Sequence, residues 1–113
     1  MTTKTKFKLG PKQRKWIAAL RSGKFRQTTE SLLHSKNDGG YCCLGVAKKV
    51  LKLKENSIYA LRDTHEQLGL ISAAGSNKSG TNSLASMNDE GQTFEQIAGK
   101  LEKFPRRFFT KAV

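Results

Sequence analysis

No stretch of the chain approaches the ~18 consecutive apolar residues that a membrane-spanning helix requires, and apolar residues make up only 36% of the total. That argues against a helical membrane protein. It leaves 113 residues with one modest core, enough for one domain and too little for two. The lysines near the start lead into no apolar segment of the secretory kind, so the expectation is a protein of the compartment where it is made, with no membrane partner. Cysteine is almost missing: Cys42 and Cys43 are the only two, and they are adjacent. Adjacent thiols do not build a disulfide framework, and bridging them would join α-carbons ~3.8 Å apart, below the usual disulfide range. Both are expected to be free, in a reducing cytoplasm. Histidine is as sparse, with His34 and His65 alone. Without Cys-x-x-Cys or His-x-x-x-His spacing, no metal site is expected. Gly10, Gly39 and Gly40 fit neither glycine-rich phosphate loop, and no cofactor is expected.

The most telling absence is of acid. Residues 1–26 contain no Asp or Glu, yet hold Lys4, Lys6, Lys8, Lys12, Arg14, Lys15, Arg21, Lys24 and Arg26. Residues 27–92 carry seven bases and seven acids, and residues 93–113 five bases, Arg106 and Arg107 among them, against two acids. The net charge of +12 therefore sits at the two ends of a chain with a neutral middle. Such placement suits a polyanionic partner, and these eleven residues form the candidate contact set for nucleic acid or an acidic protein.

What is present divides into an arm over 1–9, a globular domain over 10–104, and a basic-aromatic tail over 105–113. Gly10-Pro11 opens a helix, since a proline at the first helical position loses no hydrogen bond. Trp16, Ile17, Ala19 and Leu20 give it an apolar side, and Gly23 a stop. Thr28 to Leu33, the turn signal Asn37-Asp38-Gly39-Gly40 and Tyr41-Cys42-Cys43 read as a small β-hairpin, with a short helix around Glu30–His34 as the competitor. Cys43 to Lys54 reads as the central helix, with Cys43, Ala47, Val50 and Leu51 inward and Lys48, Lys49 and Lys52 outward. Thr64-x-x-Gln67 has the capping-box form before Gly69, and residues 72–82 are a small polar loop expected to be mobile. Thr93-x-x-Gln96 is a second capping box, opening a helix that buries Phe94, Ile97, Ala98 and Leu101 until Pro105. The expected fold is α+β and mostly helical: three main helices around Cys43–Lys54, with the hairpin.

Three segments occur in order: Trp16-x-x-Ala19-Leu20-Arg21-Ser22-Gly23, then Gly40-Tyr41-Cys42-Cys43-Leu44-Gly45-Val46, then Leu84-x-x-Met87-Asn88-Asp89-x-Gly91-x-Thr93-Phe94-x-x-Ile97-Ala98. In these the chain resembles a group of small uncharacterised bacteriophage and prophage proteins with a Tyr-Cys-Cys-Leu-Gly-Val core. The resemblance implies a phage origin and expression in the cytoplasm of an infected bacterium, and names no reaction. Relatives often place a further cysteine and an aspartate after the Gly-Val, where this chain has Lys48-Lys49, which weakens a metal or acid–base role there.

Cysteine chemistry would need a depressed pKa and a nearby histidine. Cys42 at a helix start with His34 across the hairpin offers the outline, but two thiols packed as small apolar side chains explain the pair better. Asp89-Glu90 lies in a turn, where backbone geometry favours such residues. Basic and aromatic residues interleave at Phe7, Trp16, Phe25, Phe104, Phe108 and Phe109, as in single-strand binders, although Trp16 also lies on a helical seam. The reading is of a non-enzymatic phage accessory protein that binds nucleic acid or a host machine that processes it. Its competitor is an inhibitor whose basic face meets an acidic patch on a host enzyme or defence factor.

Overall fold

The first helix, α1 (Pro11–Arg21), is set by its own ends. Pro11 occupies the first helical position, and Gln13 Oε1 reaches back to accept the Gly10 N–H at 2.8 Å. Ser22 closes the far end by donating twice to the Ala19 carbonyl, ahead of Gly23 at φ 75°. This computed structural model describes residues 7–28, 40–52, 65–72 and 75–113. The remaining helices are α2 (Cys43–Val50), α3 (Leu84–Asp89), α4 (Phe94–Lys103) and α5 (Pro105–Phe108), with a helical turn over 65–68. In α4 both halves of the Thr93/Gln96 capping box are made, and Phe94, Ile97, Ala98 and Leu101 are its buried side. The turn over 65–68 ends on Gly69 at φ 66°, where Leu70 N–H bonds back to the His65 carbonyl. Thr64, the other half of the capping box expected there, lies outside the described residues.

The expected α+β class does not hold. Among the described residues there is no strand and no sheet, and the β-hairpin is not formed. Tyr41 pairs instead with Gln27, in the parallel sense: Thr28 N–H bonds to the Tyr41 carbonyl at 2.9 Å, and Tyr41 N–H to the Arg26 carbonyl at 2.7 Å. Two segments running the same way cannot be joined by a tight turn, because parallel pairing requires a crossover. The local turn signal therefore points to the wrong partner geometry. Residues 29–39, which include the Glu30–His34 alternative, lie outside the described residues.

The Cys43–Lys54 helix is also shorter and less central than expected. It ends at Val50, with Leu51 as its cap and Lys52 at φ 57°, a left-handed conformation more often taken by glycine. Leu53 and Lys54 lie outside the described residues. Lys48, expected to face outward, is only 8% exposed. Among the described helices α4 is the shared element, packing on α1, α3 and α5, while α2 meets α1 and α3. Trp16, fully buried, donates its indole N–H to the Cys43 carbonyl at 2.8 Å and joins α1 to the start of α2.

Residues 105–113, set apart by composition, belong to the same core. Phe108 and Phe109 are buried, with the Phe109 ring edge-on to Trp16 at 6.3 Å and stacked with Phe7 at 6.1 Å. The Val113 carbonyl then accepts the Lys12 and Gln13 N–H groups at the start of α1.

Buried side-chain amides stitch the helices together. Gln13 donates Nε2 to both the Leu68 and Lys111 carbonyls at 2.8 Å. Asn88 Oδ1 accepts the Cys43 N–H, the first of α2, while Gln27 Oε1 accepts the Phe94 N–H, the first of α4. Gln27 and Asn88 also bond to each other. Two helix starts whose own capping leaves N–H groups open are thus closed by side chains from elsewhere in the fold.

Candidate nucleic-acid interface

Because α1 buries Gln13, Trp16, Ile17 and Leu20 at i, i+3, i+4 and i+7, the helix turns Lys12, Arg14, Lys15 and Arg21 outward. Lys8, Lys24 and Arg26, in the segments flanking α1, are exposed as well. No acid occurs between residues 7 and 28, so the only carboxylates that can temper this surface come from other elements. Two do. Arg21 pairs with Glu95 at 3.4 Å and with Glu102, both on α4. Its charge, unlike that of Lys12, Arg14 and Lys15, is already matched by acids.

Other predicted contacts are partly occupied by neutral groups. Lys12 Nζ donates to Gln67 Oε1, and the Arg14 guanidinium to the Leu9 carbonyl; both remain charged and exposed. The Lys15 and Lys24 side chains make no hydrogen bond or ion pair among the described residues. Arg106 and Arg107 are exposed on α5, apart from the α1 set, and the Arg107 guanidinium lies over the Phe104 ring at 4.1 Å. Lys4 and Lys6 lie outside the described residues. The structure thus spreads Lys12, Lys15 and Arg14 across the exposed side of α1, with Lys12 on the edge beside Gln67 and Arg14 on the opposite edge with Arg21 and Glu102, and places the α5 arginines elsewhere.

The aromatic half of the basic-aromatic pattern is mostly core. Trp16, Phe108 and Phe109 are buried, and Phe25 is partly buried edge-on to Tyr41 at 5.4 Å. Ile71, at 38%, is the single large apolar side chain among the described residues that counts as exposed. Lys78 and Lys100, near Arg107, fall outside the set expected from sequence. Charge counting over long segments hides them, because the neutral middle and the acids of α4 cancel their signal.

The paired thiols are both buried. Burial raises the pKa of Cys42 and, more strongly, that of Cys43, with the neighbouring Cys42 a further cause for the latter. Cys43 Sγ–H donates to the Leu84 carbonyl at 3.5 Å, a bond only the neutral thiol can give. Among the described residues no group of three His, Cys, Asp or Glu side chains could hold a metal ion. His34 lies outside the described residues.

Two outcomes are expected. Native protein at pH 8 should resist iodoacetamide at both cysteines and react at both once unfolded in urea; fast native labelling at either position would contradict the burial argument. Stability should also fall on the alkaline side. The unfolded chain loses its thiol protons near pH ~8.5 while the folded chain holds them to higher pH, so stability present below that pH declines above it. Urea midpoints at pH 7.5 and 9.5 for the wild type and a C42A/C43A variant would separate the thiol contribution from that of the lysines.

A small helical domain with closed thiols and a basic helix face is the class that fold and surface define. Over residues 11–71, more than half its length, the sequence matches the family described as a domain of unknown function (DUF8296), and the chain belongs to that family. No curated protein and no solved structure matches it. The matched span takes in α1 and its basic face, the Tyr-Cys-Cys turn and α2. Among the described residues no helix is long and apolar enough to cross a membrane.

Proposed function

We propose that this protein acts by binding nucleic acid through the outer face of α1, in the infected-cell setting that its resemblance to phage proteins implies. The observation that carries the reading is the α1 surface itself. The buried stripe of Gln13, Trp16, Ile17 and Leu20 leaves Lys12 and Lys15 neighbouring on the exposed side and Arg14 at its far edge, with Lys24 and Arg26 following and no acid in the same stretch of sequence. Cations spread over the exposed side of a rigid helix neutralise backbone phosphates and release their counterions, which gives affinity without requiring base contacts. A host machine that works on nucleic acid would be reached through the same bound polymer.

Fluorescence anisotropy with short labelled duplex and single-stranded DNA and RNA tests this. Binding at micromolar concentration or tighter is expected near ~50 mM salt, with log K falling by about 0.9 per duplex phosphate contacted for each decade of salt. No binding to any of these at low salt would eliminate the reading. A single stoichiometric protein retained from nuclease-treated bacterial lysate would favour the alternative, an inhibitor docking its basic face on an acidic surface.

A further inference from the structure

The flank of α4 turned away from α1 carries a second cationic surface. Along α4, Glu95, Gly99 and Glu102 form the stripe that meets Arg21 of α1. Gln96, Lys100 and Lys103 form a different stripe, about 100° further round the helix. Lys100 points towards α3: its Nζ lies 2.9 Å from Gln92 Oε1 and 3.8 Å from Met87 Sδ. On this flank a cleft opens between the loop over 75–83, α4 and α5, lined by Asn77, Thr81, Asn82, Lys100, Phe104 and Arg107. A continuation of it carries Lys78 and Ser79.

Three features give the cleft its chemistry. Among the described residues no acidic side chain lines the cleft or its continuation: Lys100 and Arg107 share the first, and Lys78 joins Arg107 in the second. Lys100 is half-buried, its Nζ donating to the neutral Gln92 Oε1 with Met87 Sδ beside it, so its charge meets no carboxylate there among the described residues. The loop is also built rather than slack, against the mobility its composition suggests. Asn77 Oδ1 accepts from Ser79 Oγ and Thr81 N–H, Asn77 Nδ2 donates to Thr81 Oγ1, and Ser76 pairs with Ser83 across its base.

We propose that this cleft is a second nucleic-acid site, holding one phosphate of a single strand among Lys78, Lys100 and Arg107. The adjoining base stacks on the Arg107–Phe104 pair. This rests on the reading of the protein as a nucleic-acid binder and adds the strand type. A helix face such as α1 can track the backbone of either form, whereas a concave site with a guanidinium held over an aromatic ring needs an unstacked base.

Amide chemical shifts of labelled full-length protein, titrated with an oligothymidylate, a matched duplex and thymidine monophosphate, test the assignment. The oligothymidylate is expected to shift Lys78, Thr81, Lys100 and Arg107, and the duplex to shift α1 while leaving the cleft unmoved. K78Q/K100Q should weaken oligothymidylate binding about tenfold and make its salt slope shallower by about 0.7. K78Q alone, at an exposed position, should show part of the same loss without touching the core. Shifts confined to α1 with the oligothymidylate would overturn the cleft and leave the α1 reading standing. Shifts confined to the cleft would do the reverse, and no shift with any strand would remove both. Equal shifts at equal concentration with the monophosphate would assign the cleft to a free nucleotide and overturn the strand.

Discussion

Trp16→Ala is expected to lower stability by about 4 kcal/mol, the upper range for truncating a large buried aromatic. The indole is fully buried where α1, the start of α2 and the C-terminal segment meet, touching the Phe109 ring and donating to the Cys43 carbonyl. Removing it leaves a cavity at that junction and takes away the link between α1 and α2. Domains of this size commonly have only ~5–15 kcal/mol in total, so the variant should show a greatly reduced urea midpoint or fail to fold at low temperature. Trp16→Phe separates the two contributions. It retains an aromatic neighbour for Phe109 without the indole donor, and should cost about 1 kcal/mol for that bond plus a smaller packing penalty. A Trp16→Ala protein with an unchanged midpoint would show that the core is organised elsewhere.

Asn88→Ala is expected to cost about 3 kcal/mol, because it deletes bonds to three partners and leaves buried groups unsatisfied. Asn88 Oδ1 accepts from Cys43 N–H at 3.1 Å and from Gln27 Nε2 at 3.0 Å, and Nδ2 donates to the Thr28 carbonyl at 2.8 Å. The first of these closes the start of α2, whose N-cap residue, Cys42, supplies no side-chain bond. Hydrogen exchange gives the specific signature: the Cys43 amide should lose protection in Asn88→Ala beyond the general loss. Asn88→Asp keeps the acceptor and turns an oxygen towards the Thr28 carbonyl, so it should retain Cys43 protection while still losing stability. Equal protection of Cys43 in the wild type and Asn88→Ala would contradict the capping role.

These two residues mark what can and cannot be read from the chain. Helices α1 and α4 are legible because their signals are local: Gly10-Pro11 opens one, Thr93 with Gln96 the other, each followed by apolar residues at helical spacing. The end of α2 is not, because Lys52 takes a left-handed conformation without the glycine that usually announces it. The expected hairpin fails because Asn37-Asp38-Gly39-Gly40 is a good local turn signal, while the parallel pairing of Gln27 with Tyr41 is a long-range fact. Gln13, Gln27 and Asn88 look like surface polar residues in a sequence. Their joining role exists only once their partners, up to 98 residues away for Gln13, are folded around them.

The candidate surface divides in the same way. The outward placement of Lys12, Arg14 and Lys15 is readable from the helical period. The pairing of Arg21 with Glu95 and Glu102 needs α4 to be packed on α1. Phe108 and Phe109 sit beyond a proline in a basic segment, so sequence offers them as stacking platforms. The fold uses them against Trp16 and Phe7 or within the same core. Lys78 and Lys100 belong to separate elements and converge with Arg107 only in three dimensions.

The central claim, that the outer face of α1 contacts nucleic-acid phosphates, is tested most directly by the salt dependence of duplex binding in a K12Q/K15Q/K24Q variant. All three side chains are exposed, so the urea midpoint should stay close to that of the wild type. Binding should weaken, and the slope of log K against log salt should become shallower by about 0.9 for each phosphate no longer neutralised. A variant that stays folded and binds duplex with the affinity and salt slope of the wild type would contradict it.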